Sequence, residues 1–143
     1  MRINRKIITA IAALIVSVIC LLTLSSCLSN GKIKDWDNDL IIMLSRRYML
    51  SIESDFIFVD GYYEKAFQDN SIHLSFKVPN ASIGNFYNVK HYIESIYSDE
   101  DYANYKECLA FDGELYTFLF FYDSDDAEYT LVRFMGRYPF KRA

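Results

Sequence analysis

Hydrophobic and polar positions repeat with two different periods along this chain, and the change of period separates predicted helices from predicted strands. Residues 35–50 place apolar side chains at three- and four-residue spacing, which predicts a helix with one buried face. Residues 82–98 show the same spacing and predict a second helix. The apolar positions in the two segments are Trp36, Leu40, Met43, Leu44 and Tyr48, and Phe86, Val89, Ile93, Ile96 and Tyr97.

A two-residue period marks the segments between and after these helices. Residues 72–78 alternate apolar and polar side chains, and with residues 56–66 they predict a hairpin that turns at residues 68–71. Residues 106–135 predict further strands, with turns at Asp112 and Gly113 and at residues 123–126. The run of residues 118–121 lacks alternation, so we expect a central strand that is covered on both faces or crossed by a helix.

The order of these elements indicates the fold class. Helix, hairpin, helix and further strands favour an α+β fold in which helices pack on an antiparallel sheet. We expect a sheet of four to five strands with two helices on one face, preceded by an N-terminal signal helix.

The N-terminal segment has the pattern of an export signal. Arg2, Arg5 and Lys6 precede residues 7–24, which carry no charge. A basic start before an apolar stretch is typical of a signal peptide. Eighteen residues also reach the lower limit for a membrane-spanning helix, so hydropathy leaves both interpretations open.

The apolar stretch ends in Leu24-Ser25-Ser26-Cys27, which resembles the lipobox of bacterial lipoproteins. In that family the cysteine thiol takes a diacylglycerol, and a dedicated signal peptidase then cleaves in front of it. The resemblance covers residues 1–27 and implies a signal peptide of residues 1–26. Residues 27–34 would then be the lipidated Cys27 and a short linker, and residues 35–143 a single small α+β domain. The location implied is extracytoplasmic, on the cell membrane.

Removal of the signal changes the composition. All 19 Asp and Glu but only twelve of the 15 Lys and Arg follow residue 26, which gives a formal net charge of −7. This acidity and the compartment disfavour nucleic acid as a partner. The basic residues near the C-terminus, which we expect to form a solvated tail, are Arg133, Arg137, Lys141 and Arg142.

The cysteine count bears on redox chemistry. Cys20 lies inside the signal and Cys27 would carry lipid, so Cys108 is the remaining thiol and no intramolecular disulfide is expected. Because Cys108 lies in an apolar strand, we expect a buried structural thiol. A nucleophilic pair of Cys108 with a histidine is disfavoured, since apolar surroundings raise a thiol pKa.

Metal and cofactor chemistry find little support in the sequence. His73 and His91 fall on the polar sides of their predicted elements, and no paired histidine or cysteine spacing accompanies them. The acidic turn at Asp123, Asp125, Asp126 and Glu128 lacks the twelve-residue loop of a calcium site. No cofactor is implied.

The aromatic residues are the most unusual part of the composition. All 24 follow Cys27, and several tyrosines fall at positions predicted to be exposed or in turns. Tyrosine offers a rigid contact area with a polar tip, which suits recognition of a partner. The candidate recognition surface comprises Tyr62, Tyr63, Tyr87, Tyr102 and Tyr105.

These observations favour a membrane-anchored envelope lipoprotein that acts as a non-enzymatic binding or accessory module. Its expected partners are the membrane, through lipid on Cys27, and an envelope protein or wall polymer. Two alternatives stay open at this point. One is a small envelope hydrolase that uses two carboxylates in a cleft, and the other is a purely structural lipoprotein.

Overall fold

The computed structural model describes residues 5–27, 31–65, 70–113, 116–123 and 125–137. It contains two α-helices, seven strands and two single-turn 3-10 helices at Val89–His91 and Glu100–Tyr102. In chain order the main elements are α1 (Arg5–Cys27), β1 (Gly31–Ile33), α2 (Asn38–Tyr48), β2 (Ile57–Lys65), β3 (Asn70–Pro79), β4 (Tyr92–Glu94), β5 (Glu107–Phe111), β6 (Phe118–Tyr122) and β7 (Tyr129–Arg137).

The seven strands form one antiparallel sheet in the order β1-β2-β3-β7-β6-β5-β4. Strands β1 to β3 form one meander and β4 to β7 a second, and the pairing of β3 with β7 joins them. The antiparallel sheet is therefore confirmed, but the expected number of four to five strands is wrong. The fold is mostly β and is compatible with the α+β class.

The first predicted helix is confirmed as α2. Its start is capped by the Asp37 carboxylate, which accepts a hydrogen bond from the Leu40 backbone N–H at 2.7 Å. Its end is set by Met49, which adopts a left-handed conformation (φ 54°) and donates its N–H to the Leu44 carbonyl. The buried side chains of α2 and of the β3 residues facing it form the main core, with Leu40, Leu44, Tyr48, Ile72, Leu74, Phe76 and Val78.

The second predicted helix, residues 82–98, is wrong. This segment forms turns, the 3-10 helix Val89–His91 and the edge strand β4. Asn88 accepts a hydrogen bond from the Lys90 N–H through its own side chain, which competes with a helical backbone. Val89, Ile93 and Ile96, which the helix would bury, are 62%, 58% and 95% exposed.

The edge strand β1 was missed because its residues were expected to belong to the linker. Gly31–Ile33 instead pairs with residues 61–63 of β2. Ile33 is buried in the main core. Because β1 starts at Gly31, the sheet begins only four residues after Cys27.

Strands β2 and β3 approach each other closely at Gly61. The register of β2 against β3 shifts between Phe58 and Asp60. Gly61 pairs regularly with Leu74, and a Cβ at this position would lie 2.8 Å from the Leu74 Cδ2. The absent side chain of Gly61 therefore permits this close approach.

The predicted signal segment forms helix α1, whose described large apolar side chains are exposed. None of the described helices has the combined length and apolar character needed to cross a membrane. The side chains of residues 20–27, including Cys20 and Cys27, lie outside the part of the chain that the structure describes.

Candidate functional site

The sheet face opposite α2 is only half covered. Residues 95–106, named here the covering segment, cross β5 and β6 and place three tyrosine rings against them. Tyr102 stacks on Phe120 with ring centroids 4.4 Å apart, and Tyr97 lies 4.6 Å from Phe118. Phe120 is fully buried, which confirms that residues 118–121 form an interior strand covered on both faces.

Between the covering segment and the uncovered part of β2 and β3 lies a cleft. Two adjoining cavities, of about 310 and 650 Å³, share the side chains of Tyr62, His73, Asp101 and Tyr102. Around these four residues the cleft is lined by charged and polar side chains. They include Asp60, Glu64, Ser71, Ser75, Asp99, Arg133 and Arg137.

A chain of hydrogen bonds runs through the cleft around His73. The Nε2 atom of His73 lies 2.9 Å from Ser71 Oγ and 3.5 Å from Glu64 Oε2, and its Nδ1 atom is hydrogen-bonded to the Tyr102 hydroxyl. Ser71 Oγ lies 3.4 Å from the same Glu64 oxygen. These contacts tie the covering segment to β3 and to β2.

The carboxylate end sets the direction of this chain. A carboxylate accepts and cannot donate, so Ser71 donates its proton to Glu64 and accepts one from His73 Nε2. His73 then carries its proton on Nε2, and its bare Nδ1 accepts from the Tyr102 hydroxyl. Every group in the chain is satisfied in this order, which leaves Ser71 without a base to activate it as a nucleophile.

His73 is held in its neutral form by its surroundings. Burial lowers the pKa of His73 below its ordinary value, against the opposing charges of Glu64, Asp101 and Asp99. The Tyr62 ring stacks on the imidazole with centroids 4.6 Å apart and planes 7° from parallel. The side chain of His73 is only 12% exposed, whereas Tyr62 is 40% exposed and forms the outer layer of the stack.

Arg133 forms part of the floor of the cleft. It donates from Nη1 to the Asp101 carbonyl at 3.3 Å, and its guanidinium lies 5.0 Å from the centre of the Tyr122 ring. Arg133 and Arg137, expected in a solvated tail, belong to β7. Lys141 and Arg142 lie outside the described residues.

The structure divides the five predicted tyrosines between the two faces of the sheet. Tyr62, Tyr102 and Tyr105 belong to the face opposite α2, whereas Tyr63 and Tyr87 pack against the main core. They do not form one surface, because the two-residue period of β2 sends Tyr62 and Tyr63 to opposite sides.

The remaining exposure also differs among the tyrosines of the cleft face. Tyr102 is 7% exposed, and the Tyr105 hydroxyl donates to the Tyr97 carbonyl at 2.6 Å. Tyr62 is thus the one predicted recognition residue that both lines the cleft and has an exposed ring. Ser71, Asp101 and Arg133 were not predicted as site residues, and the only signal for them in the sequence was the run of polar positions along one side of β3 and β7.

Cys108 is a buried thiol, as expected. It packs with Tyr102, Phe120 and Met135, and burial raises its pKa to about 12. This position makes the thiolate needed for nucleophilic or redox chemistry inaccessible at neutral pH.

The described residues contain no cluster of His, Cys, Asp or Glu that could hold a metal ion. In the acidic turn, Asp126 pairs with Lys77 at 3.0 Å and accepts from the backbone N–H of Glu128. These contacts lower the pKa of Asp126, with the bond from Glu128 the largest cause. This carboxylate therefore holds the turn before β7 in place.

Comparison with known proteins finds no relative: no family model, no curated protein and no solved structure matches the chain.

Proposed function

We propose that this protein is a lipid-anchored lipoprotein of the bacterial envelope that binds a partner in the cleft between β2, β3 and the covering segment. The anchor is supported by the lipobox-like residues Leu24-Ser25-Ser26-Cys27 after a basic start and an apolar helix. Residues 28–30 alone separate Cys27 from β1, so the sheet would lie within about 15 Å of the acylated residue.

The cleft is the single observation that carries the binding role. It combines a concave surface, a stacked aromatic ring and convergent polar groups, which is the usual composition of a ligand site. The expected partner is another envelope protein or a wall polymer.

The carboxylates of the cleft favour binding over hydrolysis. A general acid needs a carboxyl group that burial keeps protonated at working pH. Asp60, Asp99 and Asp101 are exposed, and the Glu64 side chain is 50% exposed. A purely structural role would leave the cleft without a ligand, which the second experiment below tests.

The anchor is tested by replacing Cys27. We expect Cys27→Ala to abolish incorporation of a labelled fatty acid and to leave uncleaved precursor. The matched control is Cys108→Ala, which removes a cysteine buried in the sheet and should leave acylation intact. Normal processing of Cys27→Ala would refute the lipoprotein assignment.

The binding role is tested by photo-crosslinking in intact cells. A photoreactive phenylalanine derivative at position 116, on the rim of the cleft, should capture a discrete envelope component that mass spectrometry identifies. The same group at position 42, exposed on α2, should not capture it. Asp101→Lys should abolish the capture, and equal capture from both positions, or from neither, would contradict a ligand in the cleft.

A further inference from the structure

The uncovered part of β2 carries a regular row of side chains along the cleft. Asp60, Tyr62 and Glu64 pair with alternate residues of β3 and therefore point to the same face of the sheet. Alternate residues of a strand are about 7 Å apart, so one carboxylate lies on each side of the ring at that spacing.

The central ring of this row is ordered before any ligand arrives. The inner face of Tyr62 is stacked on His73, which is itself held by Ser71 and Tyr102. Tyr62 is 40% exposed and lines both cavities of the cleft. The face of a phenol ring carries negative electrostatic potential and attracts ammonium and guanidinium groups.

The opposite wall adds negative charge. Asp99 and Asp101 of the covering segment line the cleft across from β2, and with Asp60 and Glu64 they outnumber its two arginines. Arg133 is already engaged with the Asp101 carbonyl and the Tyr122 ring. Within the described part of the chain, neither Asp60 nor Asp101 takes part in an ion pair between side chains.

From this arrangement we propose that the ligand of the cleft is a cationic, extended segment of a partner protein, with lysine or arginine at alternate positions. This inference rests on the proposed binding function and specifies its ligand. An extended chain repeats its side chains every 7 Å or so on one side, which matches the spacing of the row. One cationic group would lie over the Tyr62 ring, and its neighbours would meet Asp60 and Glu64.

The test uses the full-length protein in detergent micelles and two labelled nonapeptides in a fluorescence anisotropy titration. One peptide alternates lysine and serine, and the other alternates glutamate and serine. We expect the lysine peptide alone to bind, and its affinity to fall as salt is raised, because exposed ion pairs are screened.

Matched variants separate the ring from the charges. Tyr62→Phe keeps the ring and should keep the affinity, whereas Tyr62→Leu should weaken binding by about threefold or more. Asp60→Asn should weaken binding to a similar degree, and Asp55→Asn, at an exposed aspartate before β2, should not. Unchanged Trp36 fluorescence and urea midpoints show that each variant is folded.

The outcomes distinguish this inference from the proposed function. Equal binding of the two peptides, or full affinity in Tyr62→Leu, overturns the cationic segment. Capture of a polymer from position 116, with no binding of the lysine peptide, also overturns it but leaves the binding module standing. Loss of both the capture and the peptide binding removes the proposed function as well.

Discussion

Removal of the Tyr102 hydroxyl measures how much the hydrogen bonds between the covering segment and the sheet contribute to the free energy of unfolding. In Tyr102→Phe the ring keeps its stacking on Phe120, and only the donor to His73 Nδ1 is lost. A typical hydrogen bond contributes about 1 kcal/mol net, and an acceptor left unsatisfied costs about 1–3 kcal/mol. Because the His73 side chain is only 12% exposed, water replaces the lost donor poorly. We expect a loss of about 1–2 kcal/mol of unfolding free energy at pH 8.

The same substitution should have a specific pH dependence. In the wild-type protein the pKa of His73 is lowered by burial, so the unfolded chain takes up a proton at higher pH than the folded chain. The Tyr102 hydroxyl donates to Nδ1 and so stabilises the neutral imidazole, and its removal should raise the pKa of His73 relative to the wild-type protein. The difference in stability between the two proteins should therefore shrink as the pH falls from 8 to 5.

Urea unfolding followed by the fluorescence of Trp36, the one tryptophan of the chain, provides the assay. Trp36 donates its Nε1–H to the Phe56 carbonyl and packs on Phe58 and Phe76, so its emission reports the main core. Tyr105→Phe is the control. It also removes a hydroxyl of the covering segment, but this hydroxyl bonds only the Tyr97 backbone and not the His73 side chain. If Tyr102→Phe lowered the free energy of unfolding equally at pH 5 and pH 8, the assigned direction of the hydrogen bonds around His73 would be refuted.

Three further predictions follow from groups on the same face of the sheet. His73→Gln should flatten the stability profile below about pH 6.5, because burial lowers the pKa of His73 and the unfolded chain there binds a proton that the folded wild-type protein does not. An unchanged slope in His73→Gln would refute the burial of a neutral imidazole at this position. Cys108 should resist a disulfide reagent at pH 8 until urea unfolds the chain, and fast labelling of the native protein would contradict its burial. Phe120→Ala should lower the free energy of unfolding by about 3–5 kcal/mol in urea titrations. Ile93→Ala, at an exposed edge position, should lower it by less than about 1 kcal/mol, and similar losses in the two variants would disprove that the second face of the sheet is covered.

The elements that the sequence predicted well are those whose own pattern decides their structure. Helix α2 has a capping aspartate, a buried stripe and a clear end, and β3 alternates over its whole length. Residues 118–121 are apolar without alternation because both faces of β6 are covered. In each case the side chains required by the fold are already visible along the chain.

The errors arose where a distant partner decides the structure. Strands β1 and β4 are three residues long, and only pairing with β2 and β5 makes them strands. The spacing of residues 82–98 imitated a helix, although Phe86 reaches the core from a bend and Tyr92 reaches it from the edge strand β4.

The cleft was not predictable as a unit for the same reason. Tyr62 faces His73 only through the register of β2 and β3, and Tyr102 reaches them from 29 residues further along the chain. No local sequence pattern specifies the contact of Tyr62 with His73 or that of His73 with Tyr102. What the sequence did indicate was the abundance of tyrosine, and one of those five residues lies where a ligand would meet it.

The pairing of β3 with β7, which joins the two meanders, has a consequence for the folding of the chain. Strand β3 presents four fully or nearly fully buried apolar side chains, at Ile72, Leu74, Phe76 and Val78, and one of its edges is completed only when β7 arrives about fifty residues later. During synthesis from the N-terminus, the chain would carry this edge of β3 unpaired until β7 has emerged. Premature termination before β7 should therefore yield aggregates rather than a smaller working protein.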